Sequence, residues 1–201
     1  MCASELFGRI ALALALLAAT GAHGEPQAPA YSILRDHSGV EFTILKWNVY
    51  RELGRFTRFE GVLRYDPRHP QASSIEIDVD AASIDTGMPL RDRILRSDDF
   101  FDAERHPRLT FRSTAVQPEG AALRVMGDLT VRGVTRRVEV PVTVIGVGSH
   151  PHVGPIAGFE AVFSIDRTAF GIDGARWSGG RDSLAKDVQV RVRIGSAGVA
   201  R

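Results

Sequence analysis

The densest chemistry in the chain lies between Ile84 and Phe111, where IDTGMPLRDRILRSDDFFDAERHPRLTF sets Arg91 beside Asp92 and gathers Asp98, Asp99 and Asp102 into one short stretch. Paired carboxylates can share a proton in acid–base catalysis or hold a cation. Neither a matching base or nucleophile nor a glycine-bearing calcium loop accompanies these three, so helix capping and a solvated face explain them better. Arg91 and Asp92 have two readings that the residues leave open: a site for a polar head group, or a structural ion pair closing this segment onto what it covers. His150-Pro-His152 has the two-imidazole look of a metal site, but no third ligand accompanies it in its Gly/Pro loop. His37, just before Ser38, reads as part of a hydrogen-bonded turn at a strand entrance more readily than as a proton shuttle. No serine sits in a nucleophile elbow and no glycine loop is placed to cradle phosphate. Gly171 to Gly180 is glycine-rich, but it follows no βα unit and reads as a hairpin loop.

Something must position these groups, and the segment itself is the exception in an otherwise regular text. Pro89 suits the first turn of a short helix over Leu90 to Arg96, where its missing N–H is tolerated. Ser97 is a good N-cap for a second helical turn, with Asp98 and Asp99 where the helix dipole favours negative charge. Leu90, Ile94 and Leu95 then share a face with Phe100 and Phe101, and that face needs apolar cover.

Outside this segment, apolar and polar residues alternate with a period of two. Short runs at Tyr31 to Leu34 and Val40 to Trp47 are followed by Arg55 to Tyr65, ended by the turn Asp66-Pro67-Arg68. Ser74 to Asp80 is the clearest case, with Ile75, Ile77 and Val79 opposite Glu76, Asp78 and Asp80. After the irregular segment come Leu109 to Ala115, a turn at Gln117 to Gly120, then Leu123 to Val131, a hairpin turn at Arg132-Gly133, and Val134 to Ile145. A Gly/His/Pro loop from Gly146 to Pro155 leads into Phe159 to Asp166 and a last strand, Val188 to Ile194. Eight or nine strands with one apolar face each exclude a parallel sheet wrapped by helices. Long strands joined as a meander favour an all-β, eight-stranded antiparallel up-and-down barrel over a sandwich, with the helical segment as a lid over its mouth.

The small residues on the inner face, Gly61, Ser113, Ala115, Gly127 and Ala161, either pack opposite large neighbours or keep a bore open. A filled barrel would need no lid, which tilts the reading toward a channel. Alternation nominates Phe42, Phe59, Leu63, Ile77, Phe111, Val125, Phe159 and Phe163 as its lining, with Arg91 and Asp92 near the head of whatever occupies it. A register slip of one residue would turn any of these outward.

At 201 residues the chain suits one domain, and its 44% hydrophobic content is ordinary for a globular protein. A formal net charge of +1, with only Arg132, Arg136 and Arg137 as a short basic stripe, argues against nucleic acid as a partner. Arg9, the apolar run Ile10 to Ala19 and small residues up to Gly24 describe a secretory signal peptide over residues 1–24, with cleavage after Ala22 or Gly24 both open, an uncleaved membrane anchor as the alternative, and a mature domain over 25–201. Cys2, the single cysteine, falls in the leader and precedes its apolar run, so the mature domain is expected to carry neither a disulfide nor a thiol nucleophile.

The order of motifs (Tyr31…His37-Ser38…Phe42; Gly54-Arg-Phe56…Phe59-Glu-Gly61; Ser83-Ile-Asp85-Thr86…Arg91-Asp92…Leu95-Arg-Ser97-Asp-Asp-Phe100-Phe101; Pro107…Phe111-Arg-Ser113; Gly127-Asp-Leu-Thr130-Val-Arg-Gly133-Val-Thr135; Arg167…Phe170-Gly171) resembles the YceI-like family from about Tyr31 to Ile194. The resemblance implies a lipocalin-like barrel, periplasmic in many bacterial members, with a long isoprenoid lipid in its bore. Two positions depart from the family pattern: Leu34 stands where Asp is usual, and Ile94 where His is usual, which bears on head-group selectivity if that His holds a polar ligand head. The expected function is therefore binding, with carriage or sequestration, of a polyprenyl lipid or quinone in the periplasm, needing no catalytic residue, no metal and no cofactor beyond the lipid. An enzyme acting on a lipid-like substrate through His37 and the Asp98 to Asp102 region is the alternative, and a filled barrel serving as an interaction module is a third. Homodimerisation and transient membrane contact are left open by the sequence.

Overall fold

The computed structural model describes residues 28–174 and 183–198. The expected signal peptide, Cys2 and much of the stretch Gly171 to Gly180 lie outside them. The elements in chain order are β1 (Ala30–Ile33), β2 (Gly39–Lys46), β3 (Tyr50–Phe56), β4 (Phe59–Arg64), β5 (Ser74–Asp80), β6 (Ile84–Asp85), α1 (Pro89–Arg96), β7 (Arg108–Glu119), β8 (Ala122–Val131), β9 (Val134–His150), β10 (Gly154–Asp166) and β11 (Leu184–Gly198).

Three consecutive strand pairs each behave as one long, broken strand. β1 and β2 both lie along β11, on either side of a 3-10 turn at Arg35–His37. β3 and β4 lie along β2 and β1, and β5 and β6 along β4 and β3, with a second 3-10 turn at Ala81–Ser83 between the last two. The remaining strands follow in sequence order to β11, which returns to β1 and β2. The result is a closed antiparallel barrel of eight walls with one short helix. Closure gives every wall a neighbour on both sides, while the outer β9–β10 hairpin extends past the start of β8.

Each break exposes backbone groups that need partners. Ser38 Oγ donates to Leu34 O at 2.7 Å and accepts from Gly195 N–H at 3.0 Å, so the β1–β2 break is sewn to β11. Ser83 does the same for the other two: its hydroxyl accepts from Arg58 N–H at 3.1 Å and donates to Asp80 O at 2.7 Å. His37 sits in the first break, packed on Gly195, where an added Cβ would lie 2.5 Å from the His37 Cβ.

Several boundaries differ from the sequence reading. A bulge in β7 between Ser113 and Ala115 reverses the alternation, so Ala115 faces solvent and Val116 is buried. Strand β7 then continues to Glu119, and the turn falls at Gly120 and Ala121 instead of Gln117 to Gly120. Strand β9 runs on to His150, using most of the expected loop from Gly146 as a hairpin arm. A hairpin between β2 and β3 was hidden in sequence because Trp47, at φ of 52° beside Asn48 at 56°, takes a left-handed position usually marked by glycine or asparagine. The Arg132-Gly133 turn matches its expectation, with both residues at positive φ between the paired Val131 and Val134.

Candidate functional site

Because successive walls alternate in direction, the β2–β3 hairpin, the segment 86–107, the β8–β9 turn, the end of β10 and the start of β11 all gather at one end of the barrel. From that end an apolar cavity of about 450 Å³ extends toward the other. Its volume falls within the roughly 300–1,000 Å³ typical of small-molecule sites.

The segment at this end is built as an amphipathic cover. α1 begins with Pro89 as expected, and Ile94, Leu95, Phe100 and Phe101 pack into the two apolar clusters of the barrel. Ser97 is not the start of a second helix: it ends α1, with its N–H and its hydroxyl both donating to Ile94 O. The chain then turns through 97–106 on backbone bonds to Ser97 O and Asp102 O. Asp102, buried at positive φ, pairs with Arg105 at 2.6 Å, so it supports this turn. Leu90 also departs from expectation, for it borders the cavity yet remains 66% exposed.

Of the nominated liners, Phe42, Leu63, Ile77 and Phe111 border the cavity, as do Val125, Phe159 and Phe163. Phe59 is buried in the core without bordering it. Arg91 stands at the α1 end of the cavity, whereas Asp92 is buried away from it. The two do not pair with each other. Arg91 is bound to Glu52 of β3, and donates to Thr86 Oγ1 at 2.7 Å and Thr86 O at 2.8 Å. Asp92 accepts from Thr86 N–H at 2.9 Å and from Thr86 Oγ1–H at 2.6 Å. Thr86, Arg91, Asp92 and Glu52 thus form one latch holding the start of α1 to the hairpin. Glu52 was missed in sequence because its strand was not seen to begin at Tyr50.

The small residues of the inner face combine both of their sequence readings. A Cβ on Gly127 would lie 2.5 Å from the Phe111 ring, and one on Gly54 would lie 2.2 Å from the Phe42 ring. Each ring is laid over a glycine on a neighbouring strand and still borders the cavity, so the glycines accept bulk that would otherwise stand in the bore. Gly61 differs, since its Cβ would meet a backbone atom, Glu76 O, at 2.3 Å. Its smallness serves the approach of β4 to β5.

At the far end the bore is narrowed by Tyr65 against Phe159, edge to face at 4.9 Å between ring centroids. Burial pushes the Tyr65 phenol above its ordinary range, with the neighbouring Tyr31 and Asp66 adding to the shift. At the α1 end Arg167 is 5% exposed and donates to Ile172 O at 2.6 Å, Ala185 O at 2.8 Å and Leu184 O at 3.0 Å. Its burial lowers its pKa, but an arginine keeps its charge.

Other motif residues turn out to be framework. Arg112 Nη2 donates to both carboxylate oxygens of Asp78, at 2.7 and 2.8 Å, and Ser113 Oγ accepts from Ile75 N–H at 2.9 Å beside the bulge. Arg132 binds the carbonyls of Asp98 and Gly171, so one member of the short basic stripe is engaged within the fold. His37 lies against β11, and Asp98 is tied to the β8–β9 turn, so the two parts of the enzyme alternative sit on separate elements. His150 and His152 stand at the β9–β10 tip, ring centroids 5.6 Å apart; among the described residues no group of three metal-ligating side chains occurs.

A closed up-and-down barrel around an apolar bore, covered at one end by a helical segment, is a lipocalin-like architecture. The chain belongs to the YceI-like family: residues 31–195 match the YceI-like domain. A UPF0312 protein of Pseudomonas aeruginosa is 35% identical over 162 residues, covering 80% of this chain and 85% of the relative. Protein YceI of Escherichia coli O157:H7 is 36% identical over 151 residues, covering 74% and 79%. Among solved structures, Burkholderia cenocepacia BcnA superposes with a TM-score of 0.74 at 29% identity, over 81% of this chain and 98% of that one. A polyisoprenoid binding domain from Saccharophagus degradans, implicated in plant cell wall breakdown, shares the fold with a TM-score of 0.63 at 15% identity, over 85% and 99%.

Proposed function

We propose that this protein binds a long-chain isoprenoid, a polyprenyl lipid or a quinone, within its bore, and carries or sequesters it in the periplasm after export by the N-terminal leader. The apolar cavity carries this reading. Its aliphatic and aromatic lining offers little to a polar solute, while each buried CH₂ of a chain would contribute about 0.8 kcal/mol. Family membership and the polyisoprenoid-binding neighbour of the same fold support the ligand class. They also favour a binding protein over an enzyme.

The latch suggests how the head group is met. Arg91 is already neutralised by Glu52, and Ile94 adds an apolar surface beside it, so the cavity's upper end suits an uncharged polar head. The test is organic extraction of protein purified from the periplasmic fraction, followed by mass spectrometry. A prenyl chain recovered in near-stoichiometric amount is the expected result. Protein that is empty, and that takes up no prenyl chain from detergent, would defeat the proposal.

A further inference from the structure

Among the described residues, exposed large apolar side chains cluster at two places, with Leu53 on β3 and Val62 on β4 standing apart from both. One is the outer part of the β9–β10 hairpin, with Ile145, Val147 and Val153. It lies toward the opposite end from α1 and does not border the bore, so nothing here says what would cover it. The other surrounds the cavity's α1 end. Trp47, Val49 and Tyr50 form the tip of the β2–β3 hairpin at 53%, 71% and 58% exposure, and Met88 and Leu90 begin α1 at 54% and 66%.

Three observations set this second group apart. Met88 and Leu90 border the cavity as well as solvent, so apolar side chains stand at the edge of the bore itself, beside Thr86 and Arg91. The hairpin tip and the helix start are tied into one surface by the Glu52–Arg91 pair beneath them. Finally, Trp47 occupies a left-handed backbone position that glycine or asparagine would take with less strain, and it is spent on an exposed ring. An aromatic kept there, edge to face with Tyr50 at 6.1 Å and under the Lys46 ammonium at 4.4 Å, has the amphipathic character favoured at a membrane–water interface. The charges on the hairpin and at the start of α1 suit an anionic lipid surface, while Asp98 and Glu104 are exposed further along the same cover. Arg51 and Arg93 are exposed and unpaired among the described residues, while Glu52 and Asp85 are already neutralised by Arg91 and Arg55. Asp187, exposed on β11, is accompanied by Lys186.

We infer that this rim is a docking surface for the interfacial layer of an anionic bilayer, through which the bore opens directly toward lipid. The inference rests on the carrier reading for its purpose, but not for its test. A ligand poorly soluble in water then passes between bilayer and bore without crossing solvent.

The experiment uses flotation with vesicles of phosphatidylethanolamine and phosphatidylglycerol, with the mature full-length protein and a Trp47→Asn, Val49→Ser, Tyr50→Ser variant. None of the three residues borders the cavity. The variant is expected to lose roughly tenfold or more of its vesicle binding, since interfacial affinity scales with the apolar area inserted. Its uptake of a detergent-solubilised prenyl alcohol should equal that of the parent protein. In a Trp177→Phe background Trp47 is the single tryptophan, and its emission should shift to the blue on adding vesicles. The single Val49→Ser variant gives the same comparison should the triple variant fold poorly. Equal flotation of variant and parent would overturn the inference, as would a parent dimer that these substitutions dissociate. A protein that floats through this rim but takes up no prenyl alcohol would support the docking surface and defeat the carrier reading instead.

Discussion

At one end the bore is narrowed by side chains on or beside the barrel's own strands; at the other it is covered by a segment that belongs to no long strand. Phe159, Leu123 and Val116 sit on paired strands and Tyr65 just past the end of β4, where its N–H donates to Pro29 O at 3.0 Å; all four are 7% exposed or less. The cover at the opposite end is α1 with its flanking turns, joined to the barrel by an apolar face and by the polar latch of Thr86, Arg91, Asp92 and Glu52. Loosening the first end disturbs the walls themselves, whereas the second could loosen while the ladders stay intact. Substitutions at the strand-built end should therefore register mainly as lost stability, and those at the covered end mainly as altered ligand exchange.

The largest effect is expected from Phe159→Ala. The ring is buried between β9 and β11 and meets Tyr65 edge to face, so its removal leaves a void in a wall that cannot readily collapse. A loss of about 3–5 kcal/mol is expected in urea unfolding. A smaller loss combined with an enlarged bore would show that this end is less tightly packed than its exposure indicates.

Gly127→Ala tests the middle of the bore and should rank second. Its added methyl would start 2.5 Å from the Phe111 ring and 2.7 Å from Arg112 O, so the ring must lift toward the cavity. Overpacking of this kind costs about 1–3 kcal/mol. The distinguishing measurement is prenyl-chain uptake, which should fall further than stability alone would explain. Restored uptake in a Gly127→Ala, Phe111→Leu double variant would identify the displaced ring as the obstruction.

Much of this contrast was legible in sequence, for reasons that particular residues make plain. The strand-built part announces itself by period-two alternation, which is why Leu63, Ile77, Val125 and Phe159 could be assigned to the inner face. The cover announced itself by breaking that rhythm, with Pro89 at its helix start. What failed to show is where backbone geometry departs from its local cue. The bulge after Ser113 turned Ala115 outward, and the β2–β3 turn uses Trp47 where glycine would have been a signal. The latch was only half visible for a different reason. Arg91 and Asp92 are adjacent in sequence, and adjacency suggested an ion pair, but residues one apart on a helix do not face each other. Their actual partners, Glu52 and Thr86, are set by the packing of α1 on the barrel.

Arg91→Met should separate the two ends most directly. The Arg91 and Glu52 side chains are 26% and 29% exposed, so solvent screens the pair and its net contribution to stability is expected to be about 1 kcal/mol or less. Release of a bound prenyl chain should nevertheless quicken, because the pair ties the start of α1 to β3. Stopped-flow transfer to acceptor vesicles reads this rate. A large drop in stability with no change in release would place Arg91 with the framework residues and remove the distinction drawn between the ends.

Acid should weaken the covered end through Asp85, with the smallest effect of the four. Its carboxylate accepts from Gly87 N–H at 2.9 Å and from Arg55, and these partners, the backbone bond first, hold its pKa below the ordinary aspartate value of 3.8. A group whose pKa is lowered on folding contributes stability above its unfolded pKa and loses it as pH falls through the folded value. The contribution is therefore constant near neutrality and disappears only in acid below the ordinary aspartate range. Asp85→Asn removes the titration while keeping a side-chain oxygen for Gly87 N–H. Denaturation midpoints followed from about pH 6 to about pH 2 should thus decline less steeply in the variant than in the parent. Because Asp85 anchors the connection from β6 into α1, ligand release should accelerate over that same acidic range in the parent protein. Identical profiles for parent and variant would show that the cover responds to acid through some other group.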